Sequence, residues 1–144
     1  MTTAASAPNK SFARHLPTVA RVLLGLMFFV FGLNGFLNFI PTPPPESMPA
    51  GLVAFSEAMM KTGYLLKLVK GTEVLVGALL LLNRFVPLAL TLLAPVIVNI
   101  VAVHAFLAPS GIVMAVVILA LELYLAWSYR SAFRAMLAAR VTPG

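Results

Sequence analysis

Two side chains of opposite charge stand three residues apart inside a long apolar run. Lys70 and Glu73 are separated by about one helical turn, a spacing at which an ammonium group and a carboxylate can pair directly. A second carboxylate, Glu122, lies in a different apolar run and has no charged neighbour within a turn. The chain has only four acidic residues among 144. Because an ionisable group at membrane depth is costly unless it is partnered, these positions indicate a functional site.

Three further polar side chains interrupt apolar runs: Asn34 lies near the end of the first, and Asn99 and His104 lie in the third. On an ideal helix, five residues separate Asn99 from His104 by about 140°, so we expect them on different faces. A carboxylate and an imidazole can both exchange protons, which makes Glu73 and His104 the catalytic candidates. The candidate ligand-binding set is Asn34, Lys70, Glu73, Asn99, His104 and Glu122.

Four of these residues also have a purely structural interpretation. Lys70 and Glu73 can form an internal ion pair that makes membrane insertion tolerable. The amide of Asn99 can bridge two helices, or satisfy the backbone carbonyl that the Pro95 ring frees one turn earlier. Asn34 lies in a glycine-rich stretch that fits close helix packing equally well. The residue types leave both interpretations open.

The segments that must position these residues are apolar enough to cross a bilayer. The chain is 61% hydrophobic and 10% charged, which leaves too little polar surface for a water-soluble globule of this size. We predict four spans, at about 17–40, 64–82, 86–107 and 111–127, each of roughly 17 to 24 residues. They must be helices, because lipid offers no partner to a free backbone N–H or C=O. The fold class is therefore all-α, a single-domain integral membrane four-helix bundle.

The connectors predict how the spans are arranged. Residues 83–85 and 108–110 are so short that the spans on either side of each must be antiparallel. The first connector is longer, and its residues 49–61 carry Leu52, Phe55 and Met59 near helical spacing. We predict a short amphipathic helix there, at the membrane interface. It fits either a linker lying on the surface or a lid over the bundle.

The distribution of Lys and Arg predicts the orientation. With four spans, both termini and the 83–85 turn lie on one side of the membrane. That side collects Lys10, Arg14, Arg21, Arg84, Arg130, Arg134 and Arg140. The positive-inside rule makes it the cytoplasmic side of a bacterial-type inner membrane, with tails at 1–16 and 128–144. The orientation in the membrane and contact with anionic lipid headgroups then account for the net charge of +6. We therefore expect the lipid bilayer as a partner and no nucleic acid.

With this orientation the polar residues gather toward the outer face. Counting from the outer end of each span places them roughly 5 to 16 Å below the boundary of the hydrocarbon. The inner half of the spans is almost wholly apolar by the same count. We therefore expect a polar pocket that opens outward.

Several chemistries are excluded by what the chain lacks. It contains no cysteine, so it can form no disulfide, thiolate nucleophile or Fe–S cluster. His15 and His104 fall on opposite sides of the predicted membrane, so we expect no haem held by two histidines of one chain. The acids and histidines show none of the spacings typical of metal ligands, and we expect no metal site.

The sequence resembles the DoxX-like family of small four-helix membrane proteins. The segments that carry the likeness are FVFGLNGFLNFIP, at the end of the first span, and the run from AFSEAMMKTGYLLKLVKG to VNIVAVHAFLAPSG. The likeness covers about Arg21 to Gly111. The residues that stand where the family's recurrent residues stand are Thr62-Gly63-Tyr64, Glu73, Asn83-Arg84-Phe85, Asn99 and His104.

This resemblance implies a site in the outer half around Glu73, Asn99 and His104. The family takes its name from a membrane subunit of a thiosulfate:quinone oxidoreductase. Similar proteins are linked to oxidative-stress complexes, and more distant relatives to membrane-protein assembly. Since this chain has no cysteine, the resemblance does not extend to thiol chemistry of its own.

Three functions remain open. In the first, which we favour, the chain is the membrane subunit of an oxidoreductase, docks a quinone in the polar pocket and takes electrons from a partner protein. In the second it is a non-catalytic scaffold or assembly factor that binds other membrane helices or a second copy of itself. In the third it is a pathway for protons or a small solute. The sequence does not identify a cofactor, and quinone is the candidate that the first of these functions requires.

Overall fold

The computed structural model describes residues 10–144, with side chains from Phe12 onward, and every regular element in that part of the chain is a helix. The α-helices are α1 (Lys10–Leu37), α2 (Ala50–Lys61), α3 (Leu65–Leu81), α4 (Val86–Phe106), α5 (Ile112–Ser128) and α6 (Arg130–Phe133). Short 3₁₀ turns lie at Pro45–Ser47 and Pro109–Gly111.

Within the described part of the chain, three segments are long and apolar enough to cross a membrane: Phe12–Leu37, Val86–Phe106 and Pro109–Ser128. The remaining predicted span, at 64–82, forms α3, which has 17 residues and is shorter than these three. The predicted all-helical, membrane-type fold is confirmed. The fourth crossing, and with it the transmembrane four-helix bundle, stays a prediction.

The first helix departs most from its predicted bounds. The sequence indicated a span from 17 to 40, whereas α1 runs over Lys10–Leu37. Residues 10–16 of the predicted tail are therefore part of the helix, and residues 1–9 lie outside the described residues. The helix ends where Asn38 takes a left-handed conformation with φ of 49°, a common way to terminate a helix.

Helices α1 and α3 pack against each other, antiparallel, and glycines set their separation. A Cβ atom on Gly32 of α1 would lie 2.8 Å from the backbone nitrogen of Val74. A Cβ atom on Gly77 of α3 would lie 2.7 Å from the Cα of Phe29. Side chains at these positions would collide with backbone, so small residues allow the close approach.

The other long helices complete a closed ring of contacts, in which α3 meets α4, α4 meets α5 and α5 meets α1. The largest fully buried side chains are Leu24, Val76, Leu80, Leu90, Leu93, Ile97 and Leu125. Most of them lie toward the end of the helices that is remote from α2. The opposite end, which we call the α2 end, is filled less completely and contains the cavities described below. Tight packing at one end thus fixes the helices while leaving space at the other.

The amphipathic helix predicted at 49–61 is confirmed as α2, Ala50–Lys61. Its residues Leu52, Phe55 and Met59 are half-buried, and they face the groove between α3 and α4. Gly63, with φ of 75°, follows the helix and lets the chain turn directly into α3.

The basic segment after α5 folds back toward the remote end of α4. Arg130 stacks over the ring of Trp127, with its guanidinium carbon 4.5 Å from the ring centroid, and donates a hydrogen bond of 3.0 Å to the Trp127 carbonyl. Further along, the side chain of Met136 meets the Thr91 hydroxyl at 3.9 Å. A cation stacked on tryptophan next to a membrane-type helix is typical of the headgroup region.

Candidate functional site

The predicted ion pair in α3 is confirmed. Lys70 Nζ lies 2.8 Å from Glu73 Oε2, and the two side chains are 24% and 6% exposed. Gly35 of α1 makes room for the lysine, because a Cβ there would overlap its side-chain carbons. The pair is therefore held at the α1–α3 interface rather than in open solvent.

His104, in the last turn of α4, is oriented by two contacts. Its Nδ1 lies 3.1 Å from the carbonyl oxygen of Ala108. Because a carbonyl can only accept, Nδ1 carries the proton in this hydrogen bond. Gly111 lies against the ring, where a Cβ would overlap Cε1 and Nδ1. The imidazole is thus packed in one position, and its Nε2 makes no hydrogen bond to the described residues.

A cavity of about 310 Å³ lies between α1, α3, α4 and α5, and we call it the central chamber. Its apolar lining includes Met27, Phe28 and Phe31 of α1 and Met114 and Ile118 of α5. Its polar lining consists of Lys70, Glu73 and His104, which we call the polar wall.

A second cavity, of about 260 Å³, lies between α2, α3 and α4, and we call it the side chamber. Leu52, Phe55 and Met59 of α2 cover it. The same polar wall lines this cavity as well. The three polar side chains therefore stand between two spaces, one inside the ring of helices and one beneath α2.

Asn99 lies on the outer side of α4. Asn99 is exposed whereas His104 is half-buried. Both nevertheless line the side chamber, which reaches around α4 beneath α2. Asn99 also lines an adjoining cavity of about 350 Å³, the apolar groove, whose other walls include Phe55, Val69 and Pro95.

Two sequence candidates lie apart from the polar wall. The side-chain oxygen of Asn34 accepts a hydrogen bond of 2.7 Å from the Ile40 amide, and so ties the chain after α1 to the helix end. Glu122 is 6% exposed, and its Oε2 is buried without a hydrogen bond to any described residue. It stands about one turn beyond Ile118, on the side of the central chamber remote from α2.

Sequence reasoning missed the role of Arg21. It counted this residue with the basic flanks, but the side chain is 7% exposed, and its guanidinium donates to the carbonyl of Leu80 and, at 3.5 Å, to that of Leu81. Both carbonyls lie in the last turn of α3, and that of Leu80 also accepts a hydrogen bond of 3.2 Å from the Asn83 amide. The available signal was position, since Arg21 already lies inside the predicted first span.

The apolar lining and the Gly111 contact were missed as well, and neither carries a chemical signature in the sequence. The polar groups that the two chambers share are those of the polar wall, and Ser56 and Asn99 add a hydroxyl and an amide to the side chamber. The polar wall contains an ammonium donor, a carboxylate acceptor and an imidazole, at the edge of largely apolar spaces. Within residues 10–144, no three His, Asp or Glu side chains gather in a way that could hold a metal ion.

Comparison with known proteins places the chain in a family. The DoxX family model matches residues 16–105, which is more than half of the 144 residues. The match includes the polar wall and Asn99 and ends before Gly111 and α5. Searches of curated proteins and of solved structures found no match. The chain belongs to the DoxX family, and its helices are those of a membrane protein.

Proposed function

We propose that this protein is the membrane subunit of a redox system and that it binds a quinone, or a similar small ligand, at the polar wall. One observation carries the proposal: Lys70 and Glu73 of α3 and His104 of α4 line both chambers. Together they provide the donor, acceptor and proton-exchanging groups that a ligand with ring oxygens requires.

The dimensions of the site support a ligand with a ring and an apolar tail. The central chamber, at about 310 Å³, lies at the lower end of the usual range for small-molecule pockets, roughly 300 to 1,000 Å³. Phe28 and Phe31 offer aromatic surface to a ring. The side chamber and the apolar groove share Phe55, Val69 and Asn99, so a tail can lie beneath α2. In this arrangement α2 is a lid.

The proposal includes a fourth membrane crossing by α3. At 17 residues α3 is about 26 Å long, slightly less than a hydrocarbon core of about 30 Å. Lys67 can extend from α3 toward the headgroups, and modest thinning of the bilayer compensates for the shorter length of the helix. Exposed arginines at 14, 84, 130, 134 and 140 lie at the end remote from α2, which supports placing that end at the cytoplasmic face of the inner membrane.

The partner protein follows from the composition. Since the chain contains no cysteine, it can supply no thiol or Fe–S route for electrons. A separate oxidoreductase subunit has to deliver them, and this chain would contribute the ligand site within the membrane. Copurification in mild detergent, followed by identification of bound protein and lipid, tests this part of the proposal.

Ligand binding is tested by calorimetry on protein in nanodiscs, titrated with a short-tailed quinone. Glu73→Gln should weaken binding about tenfold or more, because it removes the charge that holds Lys70 Nζ in place. Glu57→Gln is the matched control, since Glu57 lies on the exposed side of α2 and its side chain is 55% exposed. If wild-type protein takes up neither the quinone nor its hydroquinone, the proposal fails.

Asn99 favours a second function, that of a scaffold for other membrane helices. Its amide is exposed, lies about 10 Å from the end of α4, and makes no hydrogen bond to the described residues. An amide facing lipid can bond across a helix interface. Asn99→Leu should then abolish association with a copurified membrane protein, whereas the control Glu57→Gln should leave it unchanged.

A further inference from the structure

We infer that the polar wall is matched to the reduced, hydroxyl-bearing form of its ligand, a hydroquinone rather than a quinone. This inference rests on the proposed function and specifies which form of the ligand the site prefers. It follows from a count of free donors and acceptors at Lys70, Glu73 and His104.

The first free acceptor is on His104. Its Nδ1 is committed as a donor to the Ala108 carbonyl, at 3.1 Å. In the neutral imidazole the other nitrogen is then an acceptor, so Nε2 of that form can receive a hydrogen bond from a ligand. Gly111 lies flush against the ring and keeps it in this orientation. Ala108 is only 3% exposed, which protects the orienting hydrogen bond from water.

The second free acceptor is on Glu73. Its Oε2 takes the hydrogen bond from Lys70 Nζ at 2.8 Å, and its Oε1 makes none to the described residues. A carboxylate only accepts. The wall therefore has two free acceptors, whereas Lys70 is its sole source of free N–H groups.

A hydroquinone has two O–H donors and a quinone has none. The hydroxyl form can donate to Nε2 of His104 or to Oε1 of Glu73, and its oxygens can still accept from Lys70. A quinone carbonyl at the same place would set its oxygen lone pairs against those of His104 Nε2 or Glu73 Oε1, with no proton between them. A hydrogen bond that involves a charged group contributes about 1.5 to 3 kcal/mol, which corresponds to roughly tenfold or more in affinity.

The experiment uses two air-stable ligands that share one apolar tail and differ at one ring position, where one carries a hydroxyl group and the other a fluorine. The two substituents are similar in size, and only the hydroxyl can donate. Calorimetry on the wild-type protein in nanodiscs should give at least tenfold tighter binding for the hydroxyl compound. His104→Phe should reduce this ratio, while Glu57→Gln, on the exposed side of α2, should preserve it.

The experiment distinguishes failure of the proposed ligand site from failure of the inferred preference for the hydroxyl form. If neither compound binds, the proposed ligand site itself is wrong. If both bind with equal affinity, or if the fluoro compound binds more tightly, the ligand site stands and the inferred preference is overturned. The decisive comparison is between two ligands on the wild-type protein, so it does not depend on how any variant folds.

Discussion

Gly77 of α3 lies directly against the backbone of Phe29 on α1, with no space between them for a side chain. A Cβ atom on Gly77 would overlap the Phe29 nitrogen and lie 2.7 Å from its Cα. Lys70 and Glu73 project from the same helix, so this contact also determines where the ion pair stands relative to α1. Packing at Gly77 and the geometry of the polar wall are therefore coupled.

Gly77→Ala should destabilise the protein by about 1 to 3 kcal/mol, because the collision is with backbone that cannot rotate away. Gly71→Ala is the matched control on the same helix, since a Cβ there meets nothing within 4 Å. That variant should be neutral or more stable by up to about 1 kcal/mol, because alanine favours helix. Thermal unfolding in mild detergent measures both changes, and equal destabilisation by the two variants would contradict the packing argument.

The parts of the fold that the sequence predicted are those encoded locally. The spans expected at 86–107 and 111–127 became Val86–Phe106 and Ile112–Ser128, within about a residue at each end, because hydropathy and turn residues mark both boundaries. The pairing of Lys70 with Glu73 was likewise predictable, since the two residues stand one helical turn apart.

What could not be predicted depends on contacts between helices. Arg21 reaches the end of α3 only because of the register in which α1 and α3 pack. The two chambers require four helices to be placed before their walls can be named. The orientation of the His104 ring depends on the backbone of the turn after α4, which brings the Ala108 carbonyl and Gly111 to it. No periodicity or spacing in the sequence reports these arrangements.

The ion pair should behave as a coupled unit. Lys70→Met or Glu73→Gln alone should each destabilise the protein, by about 3 to 5 kcal/mol for a well-buried pair and less here because Lys70 remains 24% exposed. The double variant should recover much of that loss, since neither charge is then left without its partner. Unfolding midpoints of the four proteins give the coupling energy. Additive losses would show that the two groups do not depend on each other.

Arg21 should contribute to stability through the end of α3. Arg21→Leu removes the charged donor from the Leu80 and Leu81 carbonyls, although Leu80 keeps the Asn83 amide at 3.2 Å, and should lower the free energy of unfolding by about 1.5 to 3 kcal/mol. Arg14→Leu serves as the control, because Arg14 is exposed on the same helix. Hydrogen exchange should also increase selectively in the last turn of α3. Equal effects of the two substitutions would mean that only the positive charge matters.

Glu122 should be replaceable without loss of stability. Its Oε2 is buried and unbonded among the described residues, and such a group costs about 1 to 3 kcal/mol relative to a satisfied one. Glu122→Leu should therefore raise the unfolding midpoint, while Glu122→Gln, which keeps a polar group in place, should raise it less. A proton flux in proteoliposomes that disappears in Glu122→Leu would instead assign this carboxyl to a proton pathway.

Whether α3 crosses the membrane can be decided by labelling, since the chain has no cysteine of its own. Single cysteines at Ser47, Leu82, Ser110 and Thr142 sample the connectors on both sides of α3, the turn after α4 and the C-terminal segment. With four crossings, a membrane-impermeant maleimide applied to intact cells should modify the Ser47 and Ser110 positions, and should reach Leu82 and Thr142 only after permeabilisation.

The Leu82 position is decisive because the two topologies differ there. If α3 stays on the outer surface, Leu82 remains on the same side as Ser47, and both cysteines should be labelled in intact cells. The next connector, at Ser110, would then lie on the opposite side of the membrane. A helix on the membrane surface could not keep the packing of Gly77 against Phe29 along α1, and the polar wall would not form as described. Protection of Leu82 together with labelling of Ser47 is therefore what a ligand site within the membrane requires.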